Sequence, residues 1–128
     1  MIQRVTKIVV LLSTIGLAIP AQAQAIPSAC EQWFKAVEIC TQSAINMYER
    51  VDIKTAKDLR QSFKVLQSAR SKVRKAIVRI GEDAVAERCT KSEFINGMNN
   101  ALSAVTVPLI FSNALDAKCQ GSINSIVH

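Results

Sequence analysis

Residues 28–51 of the chain read SACEQWFKAVEICTQSAINMYERV, and this stretch decides the fold class. Its apolar residues recur every three or four positions over about six turns, which is the spacing of an amphipathic helix. Ser28 and Glu31 form an S-x-x-E capping box directly after Pro27, which predicts a helix that begins at Ser28. The apolar positions of this helix are Cys30, Trp33, Phe34, Val37, Cys40, Ala44, Met47, Tyr48 and Val51.

A second amphipathic helix is predicted from Thr55, with Asp58 in its first turn, to Gly81, a residue type that commonly ends helices. Its apolar residues recur at alternating spacings of four and three, with Ala69 or Arg70 at the position that the pattern leaves open. Two helices of similar length joined by a short connection fold back on each other as an antiparallel hairpin. The apolar stripe consists of Leu59, Phe63, Leu66, Val73, Ile77 and Ile80.

The last third of the chain is less regular and predicts shorter helices. Residues 82–88 indicate a short helix, and a longer one starts near Thr90. Pro108 is expected to interrupt this helix, because proline lacks an N–H and its ring clashes with the preceding turn. We expect a final helix over residues 109–118, while residues 105–111 are also apolar enough to form a strand. The fold class is therefore all-α: an antiparallel helical hairpin plus two or three shorter helices.

Length and composition bound the class of protein. The chain has 128 residues, of which 49% are hydrophobic and 20% charged. These values fit one globular domain. They exclude a large multidomain enzyme, a disordered tail and a collagen-like or low-complexity polymer.

Residues 1–25 have the order of a secretory signal peptide: a basic start, an apolar run over residues 8–19 and small residues at a cleavage site. The apolar run is shorter than the about 20 residues that a membrane-spanning helix needs. We expect cleavage after Ala23 or Ala25, which leaves residues 26–128 as a single helical domain. The mature protein is then periplasmic or secreted, with no transmembrane helix after processing.

All four cysteines lie in the expected mature chain, and an even number in an exported protein predicts two disulfides. Cys30 and Cys40 lie about 15 Å apart along the first helix, whereas the Cα atoms of a disulfide must approach within about 7 Å. Each therefore pairs with Cys89 or Cys119. We favour Cys30–Cys89 with Cys40–Cys119, and the swapped pairing stays open. A zinc site is disfavoured, because the chain contains no C-x-x-C pair.

The second helix carries most of the positive charge. Removal of Arg4 and Lys7 from the 16 basic residues lowers the formal charge from +6 to about +4. Most cations of the second helix fall opposite its apolar stripe, which is the arrangement of an ordinary solvated face. The shortage of acids on this face also makes it a candidate surface for an anionic partner. The residues of this surface are Lys57, Arg60, Lys64, Arg74, Lys75 and Arg79.

The sequence contains no recognisable set of catalytic residues. His128 is the only histidine and the last residue, which is a poor place for a positioned general base. No nucleophile elbow, phosphate-binding glycine loop or metal-binding histidine pair occurs. We therefore expect a protein that is not an enzyme and that holds neither a cofactor nor a metal ion.

Residues 28–37, SACEQWFKAV, resemble the opening of a family of small proteobacterial exported proteins that carry a cysteine-containing domain of unknown function. The resemblance extends from the first helix through Cys89. The two further cysteines and the segment after Cys89 depart from the family's pattern. The resemblance implies export, helices and disulfides, and it implies no activity.

Two functions fit these observations. We expect an inhibitor- or immunity-like protein that binds a protein partner, by analogy with other small exported proteins. The alternative is an envelope-associated protein that binds anionic lipid or lipopolysaccharide through the basic helix 54–79. Nucleic acid is not expected, because the basic face lacks the interleaved aromatic residues on which bases stack.

Overall fold

The computed structural model describes residues 25–127, and within them it contains five α-helices and no strand. The predicted all-α fold with a helical hairpin and shorter helices is confirmed. The predicted signal peptide, up to residue 24, and His128 lie outside the described residues. The helices are α1 (Ser28–Val51), α2 (Ile53–Ile80), α3 (Glu82–Arg88), α4 (Ser92–Phe111) and α5 (Ala117–Asn124).

Helix α1 is the central element and contacts the other four helices. Helix α2 folds back along it, so that Arg60 near the start of α2 pairs with Glu49 near the end of α1. Helix α4 runs parallel to α1, since Phe94 in its first turn packs edge-on against Phe34, with ring centroids 6.2 Å apart. The core therefore lies around the buried faces of α1.

Helix α5 lies on another side of α1 and runs antiparallel to it. Asp116, just before α5, accepts a hydrogen bond from the Ser43 hydroxyl at 2.6 Å. Val127, just after α5, exchanges two backbone hydrogen bonds of 2.9 Å with the side chain of Gln32. The described chain thus ends close to the start of α1.

Two disulfides fasten α1 to the second half of the chain. Cys30 bonds Cys89 and Cys40 bonds Cys119, with Cα atoms 5.2 and 4.7 Å apart, so the favoured pairing is confirmed. The bridges span 59 and 79 residues. Loops of this size correspond to about 4 kcal/mol of stabilisation each by chain-entropy reasoning. Two buried disulfides also indicate an oxidising compartment.

The hairpin is tighter than the sequence predicts. Only Asp52 separates α1 from α2, and α2 begins at Ile53 rather than Thr55. The Asp52 carboxylate accepts hydrogen bonds from the hydroxyl and the backbone N–H of Thr55, at 2.6 and 3.2 Å. These bonds favour the charged form and lower the pKa of Asp52, the hydroxyl contributing most.

The predicted capping box at the start of α1 is wrong. Pro27 occupies the N-cap position, and no side chain caps the helix there. Glu31 reaches across to α2 instead, where it pairs with Arg70. An ion pair within the hairpin thus takes the place of a local bond in the first turn.

The predicted interruption at Pro108 is also wrong. Helix α4 runs without a break through Pro108, which lies in its last turn. Neither a strand over residues 105–111 nor a helix over residues 109–118 is present. Proline removes one backbone hydrogen bond from the helix, but Val105 and Leu109 on either side are buried in the core. Tertiary packing therefore outweighs the local signal.

Two residues with positive φ end the long helices. Gly81, at φ +90°, ends α2 as predicted. Asn113, at φ +53°, follows α4, and its N–H donates to the Ile110 carbonyl at 3.0 Å. The next N–H, of Ala114, donates to the Leu109 carbonyl at 2.8 Å, which completes a Schellman motif. Asparagine suits this position because its short polar side chain tolerates the left-handed conformation.

Candidate binding surfaces

An exposed row of cations runs along the outer face of α2, and we call it the basic ridge. At about 100° per residue its six members fall within about 80° of the helix circumference, opposite the side that packs on α1. All six are exposed, and no salt bridge among the described residues involves any of them. The basic ridge consists of Lys54, Lys57, Lys64, Lys72, Lys75 and Arg79.

Of the six residues predicted to form a surface for an anionic partner, four lie on the basic ridge and two lie beside it. Arg60 lies off the ridge and pairs with Glu49 of α1. Arg74 is exposed but also lies outside the arc of the ridge. The four predicted residues that do lie on the ridge are Lys57, Lys64, Lys75 and Arg79.

Arg70, one of the two residues that could fill the open position in the apolar pattern of α2, lies away from the basic ridge. Its side chain is 14% exposed and donates two hydrogen bonds to the Glu38 carboxylate, at 2.9 and 3.0 Å, and one to Glu31. Its guanidinium carbon also lies 5.3 Å from the centre of the Phe34 ring. Burial alone would lower the pKa of Arg70, but the hydrogen bonds to the two glutamates outweigh burial and raise it.

An apolar groove of about 390 Å³ lies between α2 and α4, and α1 forms its floor. Val37 and Thr41 line the floor, and Val65 forms the outer edge of the α2 wall. The α4 wall is built from small side chains, among them Ala101 and Ala104. The groove exists because alanines at these positions leave a gap between two helices that both pack on α1.

The sequence assigned most groove residues to the core and did not predict the groove. Val37, Leu66 and Ala101 lie at helical spacing on apolar stripes, and all three are in fact half-buried or buried. The signal that indicates a groove is the side-chain size along α4, where Ala101 and Ala104 face the larger Leu66 of α2. Periodicity identifies the inward face of a helix but does not contain the distance to the next helix.

Within residues 25–127 no cluster of three or more His, Cys, Asp or Glu side chains is placed to hold a metal ion. The shifted carboxyl pKa values there have structural causes. The Ser43 hydroxyl, followed by the backbone N–H of Cys119, lowers the pKa of Asp116, which caps α5. The prediction that the protein is not an enzyme remains a prediction.

Among the described residues one helix, α4, is long and apolar enough to cross a membrane by length and composition. Core helices meet the same criterion. One face of α4 is buried against the rest of the domain, through Met98, Leu102, Val105 and Leu109. Val107, Ile110 and Phe111, in the last two turns of α4, are exposed.

Comparisons with known proteins return no match to a protein family, a curated protein or a solved structure. The resemblance of residues 28–37 to small exported proteins therefore stays a prediction. The features that bear on function are the groove, the basic ridge and the exposed apolar residues.

Proposed function

We propose that the chain is a non-enzymatic binding protein of the bacterial periplasm or exterior, and that it holds a protein partner in the groove between α2 and α4. The observation that carries this proposal is the groove, which is apolar, open to solvent and about 390 Å³ in volume. That volume lies within the range of about 300–1,000 Å³ typical of small-molecule pockets, and the apolar lining suits the inserted side chains of an amphipathic helix. The signal-like start of the chain and the two disulfides support export.

Bonds within the domain fix the floor and the α2 wall of the groove. Its floor, α1, is linked covalently to α5 through Cys40 and Cys119. Its α2 wall is fastened to the same floor by Arg70, which pairs with Glu31 and Glu38. A preformed surface lowers the ordering cost of association, because fewer groups have to be immobilised on binding.

The partner chemistry that fits is an amphipathic helix with an acidic flank. From Leu59 to Ala69 the α2 wall extends about 15 Å, which accommodates about three turns of a helix. On the outer side of Val65 the surface continues into the basic ridge, through Lys64 and Lys72. Acidic residues beside the apolar stripe of the partner would meet these cations, which steer association.

The test uses two valines of the same helix. Val65 lines the groove and is 62% exposed, whereas Val78 is 66% exposed and does not line it. The mature, oxidised protein and its Val65→Glu and Val78→Glu variants are each used to capture partners from an envelope extract of the parent bacterium. A captured protein is then purified, and its affinity for all three baits is measured by calorimetry.

We expect one protein that binds the wild type and Val78→Glu with equal affinity and Val65→Glu at least tenfold more weakly. Charge reversal on the ridge, with Lys64→Glu and Lys72→Glu together, should slow its association and reduce the dependence on salt. Equal affinity of all three baits would show that the groove is not the site. Failure of every captured protein to bind once purified would refute the proposal.

The basic ridge favours one second candidate, a protein that lies lengthwise on anionic lipid or lipopolysaccharide. In that case binding to such surfaces should depend equally on cations along the whole ridge, and it should disappear at high ionic strength. Val65→Ser, which adds no charge beside the ridge, should leave it unchanged. The triple change Lys64→Glu, Lys72→Glu and Lys75→Glu should abolish it, and survival of binding in this variant would exclude the candidate.

A further inference from the structure

The end of the molecule at the α1–α2 turn exposes a group of large apolar side chains, which we call the apolar tip. Val51 and Ile53, on either side of the turn, are 74% and 75% exposed. Phe111, in the last turn of α4, is 86% exposed, which is more than any other large apolar side chain among residues 25–127. The apolar tip consists of Val51, Ile53, Val107, Ile110 and Phe111.

These five residues come from distant parts of the chain but reach the same end. Helix α4 runs parallel to α1, with Ala101 and Val105 facing Val37 and Thr41 across the floor of the groove. Continued at the same register, the end of α4 lies level with the last two turns of α1.

Cations lie beside the tip at the α1–α2 turn, and the two acids next to the turn are already engaged. Arg50, Lys54 and Lys57 are exposed, and no salt bridge in the described part of the chain involves them. Of the two acids next to the turn, Asp52 caps α2 through Thr55. The other, Glu49, pairs with Arg60. Asp58, one turn further along α2, is the remaining acid on this part of the helix.

From this arrangement we infer that the apolar tip inserts into the surface of an anionic phospholipid bilayer. The side chains of the tip project from the α1–α2 turn and from the last two turns of α4. An exposed apolar end with cations beside it suits the boundary between headgroups and acyl chains, where apolar burial and attraction to anionic lipid add. Docked end-on, the protein keeps the groove accessible from the side.

Both ends of the described chain lie away from the tip. Ala25 precedes α1, and Val127 is bonded to Gln32 in the second turn of that helix. Both therefore lie at the end opposite the tip, about 36 Å away along the 24 residues of α1. Bilayer contact at the tip leaves this opposite end facing the aqueous phase.

The first experiment measures binding of the mature, oxidised protein to vesicles by co-sedimentation. One set of vesicles contains phosphatidylglycerol and phosphatidylethanolamine, and the other contains phosphatidylcholine alone. The test variant carries Ile53→Glu and Phe111→Glu at the tip. Its matched control carries Val78→Glu and Val127→Glu, at positions that are 66% and 76% exposed but distant from the tip.

We expect the wild type and the control variant to bind the anionic vesicles and to bind phosphatidylcholine weakly. The tip variant should lose at least tenfold in partition coefficient while its helical circular-dichroism signal stays unchanged. Equal binding of the tip variant and the control variant would overturn the inference. So would the absence of any binding of the wild type to the anionic vesicles.

A second pair of variants distinguishes end-on docking from a helix that lies flat on the bilayer. Lys54→Glu with Lys57→Glu reverses the two ridge cations beside the tip, and Lys72→Glu with Lys75→Glu reverses two at the far end of the ridge. End-on insertion predicts at least a tenfold loss for the first pair, because each surface-proximal cation contributes about 1 kcal/mol. It predicts no loss for the second pair. Equal losses would overturn end-on docking in favour of the flat orientation.

The tip variant also tests whether a second copy of the chain, rather than a bilayer, covers the tip. Sedimentation velocity should show the same molecular mass for the wild type and the tip variant. A dimer that the tip changes dissociate would overturn the inference. The result is independent of the groove, since Val65→Glu should bind vesicles like the wild type whether or not a protein partner exists.

Discussion

The guanidinium of Arg70 and the carboxylate of Glu38 face each other across the hairpin and share two hydrogen bonds of 2.9 and 3.0 Å. Arg70 also pairs with Glu31 and lies over the Phe34 ring. With 14% of its side chain exposed, Arg70 is screened by solvent less than the cations of the basic ridge. One residue thus joins the two longest helices through charge, hydrogen bonds and an aromatic contact.

Replacement of Arg70 by methionine should lower the free energy of unfolding by about 1–3 kcal/mol, because it leaves two half-buried carboxylates without their partner. Arg79→Met, on the exposed ridge of the same helix, is the control and should change stability by less than about 0.5 kcal/mol. Urea unfolding followed by circular dichroism measures both. Equal effects of the two substitutions would show that the pairing with Glu31 and Glu38 contributes nothing.

Removal of either disulfide by paired alanine substitutions should cost about 4 kcal/mol, a large fraction of the stability of a small domain. The cost should be slightly greater for Cys40–Cys119, which closes the longer loop. Guanidinium unfolding of the two variants measures the difference. Non-reducing peptide mapping checks the pairing itself, and a peptide that links Cys30 to Cys119 would contradict it.

Gly81→Ala should destabilise the protein by about 1–3 kcal/mol, because φ +90° and ψ 159° lie in a region that essentially only glycine adopts. No atom lies within 4 Å of a Cβ at this position, so the cost comes from the backbone alone. Gly97, inside α4, has equally open surroundings and an ordinary φ. Gly97→Ala should therefore stabilise the protein by about 0.5–1 kcal/mol. In thermal unfolding the melting temperature should fall for Gly81→Ala and rise for Gly97→Ala.

Protonation of Asp116 should make the free energy of unfolding depend on pH. Its pKa is lowered from 3.8 by the Ser43 hydroxyl first and by the backbone N–H of Cys119 second. A lowered folded-state pKa contributes stability that is fully present above the unfolded value and is lost as the pH falls through the folded value. Asp116→Ala should therefore cost about 1 kcal/mol near neutral pH, as expected for an N-cap. The cost should shrink below about pH 3.8.

The measurement is urea unfolding of the wild type and Asp116→Ala between neutral and strongly acidic pH. Ser43→Ala serves as the companion variant, because it should raise the pKa of Asp116 without removing the carboxylate. Carboxyl NMR titration reports that shift directly. A cost of Asp116→Ala that stays constant down to the acid limit would contradict the assignment.

Helix periodicity predicts the hairpin, and cysteine spacing reduces the possible disulfide pairings to two, of which the structure contains the favoured one. Cys30 and Cys40 lie on one rigid helix, which forbids a bond between them, and the return of α2 brings Cys89 back to the start of α1. Gly81 was recognisable as a helix end because its residue type matches the backbone that the turn needs. These features depend on local geometry.

The features that the sequence did not reveal depend on contacts between distant segments. Pro108 is a strong local signal for a helix end, yet burial of Leu109 carries α4 past it to the left-handed Asn113. Likewise Glu31 looks like half of a capping box until α2 brings Arg70 within reach. The groove and the apolar tip arise from spacing between helices, which no periodicity encodes.

The crossed pattern of the disulfides has a consequence for biogenesis. Under the proposed export from the N-terminus, Cys30 and Cys40 would meet an oxidase before either native partner has emerged. Their partners follow 59 and 79 residues later. Oxidation in order of emergence would join Cys30 to Cys40, which an intact α1 does not permit. The native pairing would then require either that α1 forms its helix before the cysteines are oxidised or that a disulfide isomerase rearranges a Cys30–Cys40 bond.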